Sequence, residues 1–215
     1  MTPYLAPAWA YGPVPAAVWD LARAQAASSA SVTVLTTDAL APHERQPVGT
    51  FMIDGVRVVR VRNMSGIIRT WLDTSTPRAL TRRARELFAV AAPPDIVHLH
   101  ELWTVENWRV IGSVPSGTPV ITSTHGVWRA RHSGWTTRVE ERLLRPLLRR
   151  LDHVVVQSGD EVVRVREMWE RQHLCLEDEE VSVVPATTDV AAIERALRQV
   201  YAFVRARAHV TRRSC

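Results

Sequence analysis

Three short stretches decide the fold: Asp95–Leu99 (DIVHL), Thr118–Ser123 (TPVITS) and His153–Gln157 (HVVVQ). Each is rich in β-branched residues and too short for a stable helix. Each has a short continuous apolar centre rather than a strict alternation, the signature of a strand covered on both faces of a sheet. The segments between them, Thr104–Ile111 and Trp135–Arg150, read as helices. Strand, helix, strand at this spacing predicts a parallel sheet with crossover helices.

Working outward, the pattern continues on both sides. Ser31–Thr37 (SVTVLTT) is another buried strand. Phe51–Ile53 and Val56–Val61 flank Asp54-Gly55, a two-residue hairpin signal. Pro77–Ala91 reads as a helix with Thr76 as N-cap, ended by Pro93-Pro94. Toward the C-terminus, Ser158-Gly159-Asp160-Glu161 fits a capping box opening a helix to about Trp169. Val181–Val184 is the last strand, Asp189–Arg207 the last helix, and the basic tail Arg205–Cys215 is expected to fray. The fold class is therefore α/β, Rossmann-like, with helices on both faces and ligands at the carboxyl ends of the strands. Residues 1–188 form the domain and residues 189–215 a terminal helix and tail.

The amino-terminal end departs from this scheme. Pro15–Ala27 is an amphipathic helix with Val18, Leu21, Ala22 and Gln25 on one stripe. A doubly wound fold places a strand before its first helix. Only Thr2-Pro3-Tyr4-Leu5 precedes the loop here, too little for a strand, so the reading expects a truncated first strand.

Composition narrows the function classes. With 46% hydrophobic residues the chain can bury a sizeable core. No apolar run approaches the roughly 20 residues needed to cross a bilayer. Met1–Tyr4 does not begin a secretory signal. Two cysteines, Cys175 and Cys215, make no disulfide framework. A cytoplasmic location is the expectation. All 27 basic residues are arginine, and the formal charge is only +5, which does not point to nucleic acid. Within Trp135–Arg150, a leucine stripe lies beside Arg138, Arg142, Arg145, Arg149 and Arg150, with a kink expected at Pro146. That face is a solvated helix surface or a contact with the inner face of an anionic membrane.

Three places hold candidate chemistry. The loop Ala6–Pro15 enters a helix N-terminus, where free N–H groups favour anions, and Gly12 allows close approach. It is not GxGxxG, which disfavours a nicotinamide dehydrogenase. His98 and His100 project to one face of their strand end. With His125, and less readily Asp38, they raise the alternative of a metal hydrolase, although a full ligand set is not visible. His125 itself sits at a strand end before Gly126, placed to hydrogen-bond a substrate hydroxyl or relay a proton.

In order along the chain, TPYLAPAWAYGPVPAAVWDLAR, VTVLTTD, DGVRVVRVRN, PDIVHLHELW, TPVITSTHGVW, LDHVVVQS and VSVVP resemble the N-terminal domain of family-four, retaining GT-B glycosyltransferases. The resemblance implies transfer of a sugar from a nucleotide-sugar donor to a glycan, lipid or small-molecule acceptor, with retention and without a metal or other cofactor. It places Gly12 near the donor phosphates and His125 against the transferred sugar. Glu101, Trp103, Gly126 and Trp128 would shape the acceptor side. Three departures stand out. The family's double glycine is Gly12-Pro13, its Pro-Asn-Gly-x-Asp is Pro185-Ala186-Thr187-Thr188-Asp189, and the donor-binding second domain has no counterpart in these residues. A separate partner carrying that domain is therefore expected. The competing reading is a non-catalytic or partner-dependent binding fragment.

Overall fold

The computed structural model describes residues 1–63, 78–89, 93–102, 104–126 and 144–213. Strands β1 (Thr33–Thr37), β4 (Gly49–Ile53) and β5 (Val56–Val61) form one sheet in the order β1-β5-β4. Strands β6 (Val97–His100), β7 (Val120–Ser123), β8 (His153–Val156) and β9 (Val181–Val183) form a second, in that order and all parallel. A small antiparallel pair, β2 (Ala39–Ala41) and β3 (Glu44–Arg45), follows β1. The helices are α1 (Val14–Ala27), α2 (Arg78–Phe88), α3 (Val105–Ile111), α4 (Gly159–Arg171) and α5 (Val190–Arg213), with a further helical stretch at 144–148.

The expected hairpin forms. β4 pairs antiparallel with β5, Phe51 opposite Val58 and Ile53 opposite Val56. Asp54 and Gly55 both have positive φ, 49° and 78°, as a type I′ turn requires. β5 then pairs parallel with β1.

The slot for the first strand is not empty. Met1–Pro3 run between β1 and β6 and hydrogen-bond to both. Thr2 donates its N–H to Leu35 O (3.2 Å), and Thr37 N–H reaches Pro3 O (3.4 Å). On the other side His100 N–H donates to Met1 O (2.9 Å), and the Met1 amine donates to His98 O. Three residues thus join the two sheets into one. A segment this short, with a proline that cannot donate, has no periodicity by which to be read.

Alternation along the strands divides the core. Val120, Val154 and Val156 pack with Leu144, Leu147, Leu148, Val165, Met168 and Trp169 on one face. Ile121 and Val155 pack on the other, against Leu21 of α1 and Leu197, Val200 and Val204 of α5. The sheet is therefore covered on both sides, which is why its strands read as continuous apolar runs.

Two local expectations change. Ser158 caps α4, its Oγ accepting from Glu161 N–H (3.4 Å), but the Glu161 carboxylate does not return to Ser158. It turns instead to Thr124 and Gln157. The last helix runs to Arg213, well into the tail expected to fray, and its apolar stripe rests on the sheet as far as Val204. Thr76, Pro77 and most of Trp135–Arg150 lie outside the described residues.

Candidate functional site at the carboxyl edge of the sheet

Because β6, β7 and β8 are parallel, their carboxyl ends share one edge of the sheet. At this edge two adjacent tips carry non-glycine residues in the left-handed region: Glu101 (φ 67°) after β6 and His125 (φ 53°) after β7. Such residues cost on the order of 1–3 kcal/mol each and persist only where the surroundings over-determine them. Here they do. Asn107, fully buried on α3, donates its side-chain amide to His100 O (2.9 Å) and to Glu101 O. Glu101 N–H in turn donates to Ser123 O (2.9 Å). On the β7 tip, Thr124 Oγ1 donates to Glu161 Oε2 (2.7 Å), and the same oxygen accepts from Gln157 N–H (3.2 Å). Gly126 follows with φ 71°, and a Cβ there would fall 3.0 Å from Gln157 Oε1 and 3.5 Å from Glu161 Oε1. The turn after His125 thus admits glycine and little else.

Three histidines converge behind these tips. His98 Nδ1 lies 2.7 Å from Tyr201 Oη of α5 and its Nε2 lies 2.7 Å from Ser123 Oγ. Gln25 of α1 donates to the same tyrosine oxygen (3.0 Å). His100 stacks obliquely on His98, ring centroids 4.2 Å apart, and its Nδ1 meets His125 Nε2 at 2.8 Å. Burial pushes His98 and His100 well below the ordinary histidine range, reinforced by their positive-capable neighbours. Burial lowers His125 to about 4, opposed by the nearby Glu161 carboxylate. The cluster is therefore neutral at pH 7, and each ring is a hydrogen-bonding group rather than a cation. The Met1 amine beside it is lowered to about 5, also by burial.

This geometry bears on the metal reading. His98 engages both ring nitrogens with hydroxyls, and His100 and His125 bond to each other. Asp38 is buried, with its carboxylate held by Arg45 (2.9 and 3.0 Å) and by Asn63 N–H (2.7 Å). Among the described residues no group of three His, Cys, Asp or Glu is arranged to hold a metal ion.

A cavity of about 400 Å³ opens at the same edge. Its floor is Ser123, His125, Val155 and Gln157 at the ends of β7 and β8. Its walls are the first turns of α1 and α5, with Ala16, Ala17, Leu21, Ile193 and Leu197, and its rim is the Val184–Thr188 segment after β9. The size is typical of small-molecule sites.

The structure brings His125 to this cavity and Gly126 to the turn that aims it. Glu101 stands on the neighbouring tip. Gly12, with φ 87°, lies just before Pro13, which lines the cavity. Its N–H is already donated to Trp9 O (3.2 Å), so it supplies a turn rather than an anion donor. Trp103 and Trp128 fall outside the described residues. Reading the sequence missed Asn107, Thr124, Glu161 and Tyr201. Thr124 stood beside the His125-Gly126 pair and was open to notice. Asn107 lies only six residues beyond Glu101 but reads as an ordinary helix residue, and Glu161 and Tyr201 act from helices distant in sequence.

An α/β unit with a cavity and polar groups at the carboxyl ends of its parallel strands is a Rossmann-like architecture, the fold of each half of a GT-B enzyme. The profile of the family described as "Glycosyl transferase 4-like domain" matches residues 13–187, most of the chain. The protein therefore belongs to that family and is a glycosyltransferase. Among solved structures it is similar to a sucrose-phosphate synthase chain from Thermosynechococcus elongatus, at 18% identity and a TM-score of 0.53 over 87% of this chain and 93% of that one. At that identity the likeness bears on the fold. No curated protein matches the chain. No helix among the described residues is long and apolar enough to cross a membrane.

Proposed function

We propose that this chain forms the acceptor side of a sugar-transfer site, passing a sugar from a nucleotide-sugar donor to a carbohydrate, lipid-linked or small-molecule acceptor with retention and without a metal. Residues 1–188 carry the acceptor pocket, and α5, within 189–215, closes its outer wall. The diphosphate and nucleobase are held by a facing second domain. A cytoplasmic setting follows from the nucleotide-sugar donor.

The observation that carries the reading is His125: a neutral imidazole, fixed at a strand tip by a strained turn, opening into a cavity of ligand size. A neutral ring of this kind donates or accepts a hydrogen bond from a sugar hydroxyl. It gains rate when that bond strengthens in the transition state. His100 at 2.8 Å orients the ring and sets its tautomer. Glu101, Trp103, Gly126 and Trp128 shape the acceptor side around it. Gly12 shapes the entry loop near the donor phosphates.

The test is nuclear magnetic resonance of the His125 ring on the whole chain, titrated with UDP-glucose, GDP-mannose and the free nucleotides UDP and GDP. The expected result is a shift of the His125 signals with a nucleotide-sugar and none with the matching nucleotide alone. Equal shifts with both would overturn the contact between His125 and the transferred sugar.

A further inference from the structure

The helix starts that border the cavity beside His125 are only partly open to anions. Both helices that point their N-termini toward it offer fewer free donors there than an ordinary helix start. In α1, Pro13 stands at the N-cap and Pro15 one residue into the helix, so two of the positions that would offer N–H groups have none. In α5, Asp189 turns its own carboxylate back to Ala192 N–H (3.0 Å), filling that terminus with a negative charge. Anions gain from a helix N-terminus only when its N–H groups are free.

The wall itself is aliphatic, and its charged member among the described residues is Asp20, one turn into the exposed side of α1. Asp20 makes no hydrogen bond or ion pair among the described residues, whereas nearby Arg23 is paired with Asp54 and Arg198 with Glu194. The described lining contains no arginine. A carboxylate without a partner among the described residues, at the exposed edge of an aliphatic wall, attracts an ammonium group and repels a second carboxylate.

We propose that this cavity binds an amine-bearing acceptor: a compact apolar body whose ammonium pairs with Asp20 and whose hydroxyl reaches His125. The proposal rests on the acceptor-side reading above and adds the chemical class. The hydroxyl is the nucleophile of the transfer. The amine is a handle that is not consumed.

Three probes with one cyclohexane body separate the possibilities: trans-4-aminocyclohexanol, cyclohexane-1,4-diol and trans-4-hydroxycyclohexanecarboxylate. Their binding to the whole chain is measured by saturation-transfer nuclear magnetic resonance and needs no donor and no turnover. The amino alcohol is expected to bind about tenfold more tightly than the carboxylate, with the diol between, since a partly exposed charge contributes modestly in each direction. Asp20→Asn should compress the series to within about threefold, and Asp20→Lys should invert it. Ala17→Trp, on the exposed side of α1, should block all three. A carboxylate that binds as well as the amine, a preference unchanged by Asp20→Asn, or no binding by any probe would overturn the proposal. None of these outcomes touches the His125 contact with the donor sugar, which stands or falls on its own titration.

Discussion

His98 and His125 belong to one cluster, joined through His100, yet they are built for different work. His98 lies within β6, with both ring nitrogens bonded to the hydroxyls of Tyr201 and Ser123. It ties α5 and, through Gln25, α1 to the sheet. His125 lies past the end of β7, on a left-handed residue, with one nitrogen on His100 and its ring opening to the cavity. A histidine whose bonds are all internal stabilises. One with capacity left over, held in a strained turn, is available for a ligand. In the sequence the two look alike, each a histidine near a strand end.

The sharpest way to break this contrast is to remove each ring. With donor and facing domain present, His125→Ala is expected to lower transfer by about 100-fold, the scale of one lost transition-state hydrogen bond. Its folding midpoint in urea should fall by less than that of His98→Leu, since only the bond to His100 is lost. His98→Leu should act chiefly on stability, losing about 2–3 kcal/mol because Ser123 loses its ring partner and Tyr201 keeps only its bond from Gln25. Comparable stability losses in the two variants would erase the distinction.

Acid should act on the whole cluster. In the folded chain these histidines resist protonation, His125 down to about 4, while the unfolded chain takes up protons near the ordinary value of 6.5. The unfolded state therefore binds more protons in this window. Stability is at its full value above about pH 6.5 and falls as pH descends toward 4, by up to about 1.4 kcal/mol per pH unit for each such ring. Urea midpoints measured from pH 7.5 to 4.5 should trace that decline. A flat profile would mean that the rings are not held neutral.

Smaller changes sharpen the comparison. Tyr201→Phe keeps the packing but removes the hydroxyl between Gln25 and His98, at an expected cost of about 1 kcal/mol by thermal unfolding. Gly126→Ala should cost about 1 kcal/mol from its positive φ and its contact with Gln157. It should also reduce transfer, since it displaces the tip that carries His125. A Gly126→Ala variant with unaltered transfer would show that the tip need not be precise.

Much of the fold was legible in the sequence because its causes are local. The Asp54-Gly55 turn needs positive φ at both positions, and the flanking alternation sets the register of β4 on β5. The β-branched runs at Val97, Val120 and Val154 are buried on both faces, so they carry the parallel sheet in their composition. His125-Gly126 could be placed at a strand end for the same reason.

What tertiary structure alone decided are the contacts between segments far apart in the chain. Met1–Pro3 completes the sheet only because β1 and β6 present edges to it, and three residues cannot announce that by any period. Glu161 looked like the second half of a capping box, but a nearby buried hydroxyl on Thr124 outcompeted the cap for its carboxylate. The difference between a structural His98 and a ligand-facing His125 arises from Tyr201, about a hundred residues from His98 along the chain. Local backbone preference and burial pattern are written in neighbouring residues. Which polar group satisfies which, and which is left over for a ligand, is settled only when the helices close on the sheet.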